Sequence, residues 1–420
     1  MITTLRADAD RIIHSSIQAV LPDNAVARAL ESFHPQGGRI VLVAAGKAAW
    51  QMAKAALTCF KARPELDALL DGGIVVTKYD HVKAPLEGLE CYEAGHPVPD
   101  ENSFKATARA LEIVEKLGEG DDVIFLLSGG GSALFEKPLI PGEELQDITK
   151  QLLASGADIT EMNTIRKRLS AVKGGKFALC AAPARVYSIV LSDVLGDPPG
   201  MIASGPAYPD EATAEDALAI AAKYQLRLSE KAQELLHVET PKALDNIETH
   251  ITGSVRELCA AAAAVCKELG YEPILLTDQL TCEAREAGSF MASILKTYRE
   301  SGEALAFLAG GETVVHLKGN GLGGRNQEIA LSAARDLASI KGAALFSLGS
   351  DGTDGPTDAA GGYVDSETLG SFAALGIDPD QVLENNDAYP ALKAVGGLIF
   401  TGPTGTNVND VAVGLLQPLS

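Results

Sequence analysis

Five times along this chain a short, almost unbroken apolar run ends at a small, polar, glycine-rich loop. "RIVLVAAG" (39–46) leads into "AAGKAA", "DVIFLLSGG" (122–130) into "LSGGGSAL" and "VYSIVLSD" (186–193) into "LSDVLGDPPG". "ALAFLAGG" (304–311) leads into "AGGETV", and "ALFSLGSD" (344–351) into "GSDGTDGPTD". Runs that do not alternate polar with apolar belong to strands covered on both faces, hence to a parallel sheet between layers of helix. Further strand candidates are "GGIVVTKY" (72–79), "EPILLTD" (272–278) and "GLIFTGPTG" (397–405). Helical stretches at 47–60, 101–117, 143–154, 213–223, 254–269, 282–299 and 323–339 fill the gaps. The pattern is α/β. Ligands of open α/β sheets bind beyond the carboxyl ends of the strands, so all five loops are expected to face one crevice between two domains.

A length of 420 residues exceeds one ordinary core, so two domains are expected. The polar stretch "HVETPKALDNIETH" marks the boundary, giving domains 1–236 and 237–420, with the last strand or helix free to pack back on the first. The net charge of −21 argues against non-specific nucleic-acid binding, which needs a basic surface. No stretch of about 18 apolar residues predicts a membrane span. The first residues, "MITTLRADADRIIHSSIQAVL", read as an amphipathic helix and not as a signal peptide. Six scattered cysteines without a C-x-x-C pair read as reduced thiols of a cytoplasmic protein.

The loop after 122–127 holds Ser128, Gly129, Gly130, Gly131 and Ser132. Leu134 breaks both the G-x-S-x-G serine elbow and the G-x-G-x-x-G dinucleotide fingerprint. What remains is either a backbone cradle for an anion or a flexible turn. Lys47 opens a helix, against the macrodipole's preference for anions, which hints at a phosphate or carboxylate partner. It equally reads as a solvated lysine. "TEMNTIRKRLSAVKGGKFA" concentrates Arg166, Lys167, Arg168, Lys173 and Lys176; most read as a solvated helix face, with Asn163 and Arg166 expected to point inward. Asp193 ends a buried strand and suits a base, a metal ligand or a turn cap.

"GGETVVHLKGNGLGGRNQE" reads as a hairpin followed by Gly323, Gly324 and Arg325 at a helix start, where arginine offers bidentate donors to phosphate. Asp351, Asp354 and Asp358 crowd eight residues, an arrangement that either surrounds a cation such as Mg²⁺ or builds Asp-Gly turns. His96 in "EAGHPVPDENS" reads as a turn or supporting residue, and the scattered histidines have no zinc spacing. Cations, carboxylates and glycine loops at strand ends fit phosphoryl transfer better than acyl or hydride transfer.

Taken together, "AAGKAAWQMA", "AGHPVPDENS", "LLSGGGSALFEKP", "NTIRKRLSAVKGGK", "LSDVLGDPPGMIASGPAYPD", "GGETVVHLKGNGLGGRNQE" and "GSDGTDGPTDAAGGYVD" resemble the class II glycerate kinase family, in order over nearly the whole chain. The resemblance implies ATP-dependent phosphorylation of D-glycerate, usually at the 2-hydroxyl, with Mg²⁺. It implies a larger N-terminal Rossmann-like α/β/α domain, a smaller C-terminal α/β domain of MOFRL type, and an active-site cleft between them. Lys47, Asp193 and Arg325 match the family's cleft residues. The loops carrying Ser128 to Ser132, Gly311, Glu312, Gly323, Gly324 and Asn326 would hold nucleotide and substrate anions. The roles expected from the chemistry of these residues are that Lys47 and Arg325 neutralise the transferring phosphoryl and that Asp193 accepts or orients the hydroxyl proton. Asp351 and Asp354 hold Mg²⁺, and Asn163 with Arg166 clamps the glycerate carboxylate. The implied partners are glycerate and nucleotide, with neither nucleic acid nor membrane and with room for a homodimer. Two readings compete: an NAD(P)H-dependent hydroxypyruvate reductase, which lacks its fingerprint here, and a non-catalytic sugar-acid or nucleotide sensor, which has no need of Asp clusters beside Lys and Arg.

Overall fold

The structure is a computed structural model that describes residues 4–418. It divides into two compact units, one spanning Pro22–Thr252 and the other joining the residues up to Leu21 with those from Gly253 onward. The division therefore falls after Thr252, later than the expected 236/237 boundary, and the first helix joins the second unit. Its Asp8 is buried and accepts hydrogen bonds from the Tyr271 hydroxyl at 2.7 Å and from Gln417 Nε2 at 3.2 Å. A buried carboxylate without such donors would be costly, so these partners fix where the helix lies.

The first unit is built on β1 (Ile40–Ala45), β2 (Leu70–Lys78), β3 (Leu89–Ala94), β4 (Asp122–Leu127), β5 (Arg185–Leu191) and β6 (Ile247–Gly253). Their spatial order is β3-β2-β1-β4-β5-β6, and the pairs from β3 across to β5 are parallel. This is the doubly wound Rossmann order, whose direction of winding reverses between β1 and β4. Every residue of β1 and β4 is buried. Val41, Val43 and Ala45 enter one core with Ala106 and Ala110, while Leu42 and Ala44 enter the other with Met52 and Ala53. Each fully buried Val, Leu or Phe contributes roughly 1.5–3 kcal/mol, so both faces must be covered. That requirement is why the strands show no alternation.

The second unit carries β7 (Glu272–Leu280), β8 (Leu305–Gly311), β9 (Ala343–Gly349), β10 (Gly361–Asp365), β11 (Leu398–Ile399) and β12 (Asp410–Leu416), in the order β11-β10-β9-β12-β8-β7. The sheet is mixed: β7 runs parallel to β8, whereas β12 lies between β8 and β9 and is antiparallel to both. The candidate strand at 397–405 shrinks to two residues, and β12 was not foreseen. The expected hairpin does not form; Val314 makes only an isolated bridge to Glu283. No helix among the described residues is long and apolar enough to cross a membrane.

Candidate active site

In the first unit the candidate residues gather where the winding reverses. Ala45 pairs with Leu127, so Gly46-Lys47 and Ser128-Gly129 leave the sheet side by side. Lys47 N–H donates to the Gly129 carbonyl at 2.8 Å, and Ser128 Oγ accepts from Ala48 N–H at 3.0 Å. Ser128 thus ties the two turns together.

Each of the three glycines answers to a different neighbour. A Cβ at Gly129 would lie 2.2 Å from Asp193 Oδ2. At Gly130, whose φ is +83°, a Cβ would meet the His96 ring at 3.0 Å and Lys47 Cγ at 3.1 Å. At Gly131 it would meet Ala203 Cβ at 2.7 Å. Four side chains from three loops, those after β1, β3 and β5, therefore close on one bare turn, and any side chain on the turn would push them away. Among the described residues, the N–H groups of Gly129, Gly130 and Ser132 take no part in the turn's backbone hydrogen bonds. Unengaged N–H groups in a glycine turn form an anion-binding concavity.

Asn163 and Arg166 support this turn from within the unit. Ser132 Oγ is 3.1 Å from Ser204 Oγ, which in turn donates to Asn163 Oδ1 at 2.9 Å. Arg166 donates to the Ser132 carbonyl at 3.1 Å, as does Lys173 Nζ at 2.8 Å. Asn163 is buried and spends its oxygen on Ser204, so its side chain faces the loop and not an open ligand space. Arg166 keeps a buried Nε without a partner. Ala203 and Ser204 are non-glycine residues with φ of 51° and 61°, a strained conformation held by this packing.

The basic stretch is not a solvated face. Lys167, Arg168 and Lys173 are buried, Lys167 pairing with Asp210 at 2.9 Å and Lys173 with Glu136 at 3.1 Å. Burial pushes Lys173 down to about 8, against the pull of Glu136. Lys176 is likewise pushed down to about 8 by burial, and its ammonium donates to the carbonyls of Lys167, Arg168 and Ser170.

In the second unit, Arg325 opens the helix Arg325–Leu337. Its guanidinium donates to both carboxylate oxygens of Asp410 and, at 2.9 Å, to Glu312. Burial favours the neutral form, but the Asp410 hydrogen bonds outweigh it and hold Arg325 above its ordinary range. Asp410 reaches this place through register: as the first residue of β12 it pairs with Gly311 at the end of β8 and with Gly349 at the end of β9. Gly311 comes so close to β7 that a Cβ would lie 2.1 Å from the Leu280 carbonyl oxygen.

Asp354 and Asn326 belong to the helix and not to a ligand space. Asp354 accepts from the N–H of Asn326 at 3.1 Å and of Gln327 at 2.8 Å. It therefore satisfies the first free donors of the helix and complements its dipole. Burial pushes its carboxyl up to about 7. Asn326 is buried and accepts from Ser347 Oγ at 2.6 Å. A Cβ at Gly324 would strike the Asp354 carboxyl at 2.3 Å, so that glycine serves the cap; at Gly323 a Cβ would lie 3.1 Å from Ala388 N. Asp351 has one oxygen engaged by the Thr353 N–H and hydroxyl, at 2.9 and 3.1 Å. The two aspartates expected to share Mg²⁺ thus turn to different partners. Among the described residues no three His, Cys, Asp or Glu gather to hold a metal. Mg²⁺ bound with substrate phosphates needs only one or two carboxylates, a demand that Asp351 fits and Asp354 does not.

Two family models match the chain: a domain of unknown function (DUF4147) over residues 8–237 and the MOFRL family over residues 305–410. The D-glycerate 2-kinase of Thermotoga maritima is 53% identical over 98% of this chain and 99% of its own length. A protein of Agrobacterium vitis, provisionally named a hydroxypyruvate reductase, is 42% identical over 96% of this chain and 92% of its own. The crystal structure of glycerate kinase from Thermotoga maritima superposes with a TM-score of 0.92 at 52% identity, covering 98% of this chain and 99% of that one.

Proposed function

The chain belongs to the glycerate kinase family, and from that membership we propose that it transfers the γ-phosphoryl group of ATP to the 2-hydroxyl of D-glycerate. The observation that carries this reading is the turn Gly129–Gly131, with Lys47 packed over Gly130 and the Asp193 carboxylate over Gly129. Phosphoryl transfer asks little covalent chemistry of a protein; it asks for positioning, for positive charge on the moving group and for a group that takes the acceptor's proton. Lys47 supplies the positive charge and Asp193 accepts the hydroxyl proton. The free N–H groups of the turn bind anionic oxygen. Arg325, fixed by Asp410 and Glu312, is the second cation assigned to phosphate oxygens. Arg166 supports Ser132 and so acts on the carboxylate of glycerate through the turn. Mg²⁺, when bound, would neutralise charge on the nucleotide phosphates, with Asp351 as its carboxylate ligand.

A hydride-transfer reading has no comparable support. The turn after β1 is Gly46-Lys47-Ala48 and enters its helix at Ala49, without the three spaced glycines that receive a dinucleotide. The discriminating experiment follows ADP release with ATP, Mg²⁺ and D-glycerate, and NADH consumption with hydroxypyruvate, in parallel. ADP release alone supports the kinase; NADH loss alone overturns it. Phosphorus NMR of the product then assigns the 2- or the 3-phosphate.

A further inference from the structure

His96 had no task in the sequence beyond its turn, yet its ring lies over the central glycine of the candidate site. It reaches there from the loop after β3, while Lys47 reaches the same glycine from the loop after β1. The His96 segment is held firmly. Gly95 packs against Val98 O and the Asp100 carboxylate, Asp100 caps the helix Glu101–Val114, and the Tyr79 hydroxyl donates to Asp100 at 2.6 Å. A position fixed this way is suited to a contact that must be geometrically exact. Among the described residues, neither ring nitrogen of His96 has a hydrogen-bond partner.

We propose that His96 is a further ligand-contacting residue, which together with Lys47 holds an anionic oxygen of the substrate or nucleotide over Gly130. The charged groups that act on the ring are Lys47 and Lys78, the latter at the end of β2, while Asp193 lies against the neighbouring Gly129 and Asp100 against Gly95. Burial first, and then Lys47 and Lys78, lower its pKa, so the free protein carries a neutral imidazole here. A neutral ring N–H donates to an anion without adding a third repelling charge beside two lysines. An anion seated there would offset the two ammonium groups, and the imidazole pKa would rise on binding. The inference rests on the kinase reading for the identity of the anion, which is either the glycerate carboxylate or a nucleotide phosphate.

The test uses the full chain. Proton–nitrogen spectra of its histidines, with His96 assigned by its loss in His96→Gln, are titrated against pH alone, with D-glycerate and with ADP. The expected result is a raised His96 pKa with one of the two ligands, which names the source of the oxygen. His96→Ala should raise the KM for that same ligand about 10- to 100-fold, as loss of a hydrogen bond to a charged group does. His96→Gln, whose amide nitrogen reaches the Nε2 position, should recover most of it. An imidazole unmoved by both ligands, or an unchanged KM in a His96→Ala protein with a wild-type circular dichroism spectrum, overturns the proposal. A chain that binds ADP at His96 yet phosphorylates no glycerate would instead sink the kinase reading and leave this contact standing.

Discussion

Arg325 and Asp410, 85 residues apart in sequence, form a two-pronged ion pair in which Arg325 NH2 lies 3.0 Å from Asp410 Oδ1. The pair exists because β12 is inserted antiparallel between β8 and β9, so the start of that strand meets their ends. Bidentate pairing fixes the plane of a guanidinium as well as its charge. Replacing Asp410 by Asn should leave the arginine held through Glu312 and a weaker amide contact. Turnover is expected to fall by about 10- to 100-fold, the loss of one charge-assisted hydrogen bond, with little change in secondary structure. Steady-state kinetics beside circular dichroism would check it.

Gly129→Ala tests the closest approach at the first turn. Its Cβ would lie 2.2 Å from Asp193 Oδ2, so the carboxylate must move. A displacement of about 1 Å in a reacting group costs on the order of 100-fold in rate. The expected outcome is a folded protein with kcat reduced by about that factor, and nucleotide affinity measured by calorimetry close to wild type.

The buried Lys173–Glu136 pair predicts a different signature. Lys173→Met leaves Glu136 as a buried charge without a partner and should cost about 3–5 kcal/mol. Pairing it with Glu136→Gln should restore much of that stability, although the Ser132 carbonyl still lacks the ammonium. Chemical denaturation of both variants, set against their kinetics, separates support of the fold from support of the turn.

Asp354 predicts a pH dependence. Its carboxyl is pushed up from the ordinary 3.8 to about 7, so between those values the folded state binds more protons than the unfolded state. Stability from this group is therefore fully present below about 4 and is lost as pH rises towards 7. Asp354→Asn keeps a capping oxygen and removes the titration. Its stability relative to wild type should improve by on the order of 1–3 kcal/mol between pH 4 and pH 7.5, as read from denaturation midpoints. A constant difference across that range would contradict the assignment.

The positions legible in the sequence are those set by the strand directly before them. Lys47, the run from Ser128 to Ser132 and Asp193 each follow directly on a buried strand, and the parallel order of β1, β4 and β5 brings those ends together. Asp410 was not legible, because it begins a strand instead of ending one and only the antiparallel register carries it to Arg325. Lys167 and Lys173 looked solvated because Asp210 and Glu136, which neutralise them, lie some 40 residues away in sequence. Asp354 looked like a metal ligand because spacing alone does not distinguish a carboxylate facing a cation from one facing helix N–H groups. The "GHPVP" stretch signalled His96 only as a turn, since the glycine it covers sits after another strand.

The pairing of Asp8 with Tyr271 and Gln417 bears on how the chain is made. A helix that is translated before the first unit finds its hydrogen-bond partners only after residues beyond the whole of that unit have been translated. The unit spanning Pro22–Thr252 has its six-stranded order encoded ahead of that moment and is free to fold during synthesis. The opening helix meanwhile keeps an apolar face with no surface to cover. During synthesis that face is where a chaperone would be needed, and a chain halted before Tyr271 would carry one sound unit and one helix without its partner.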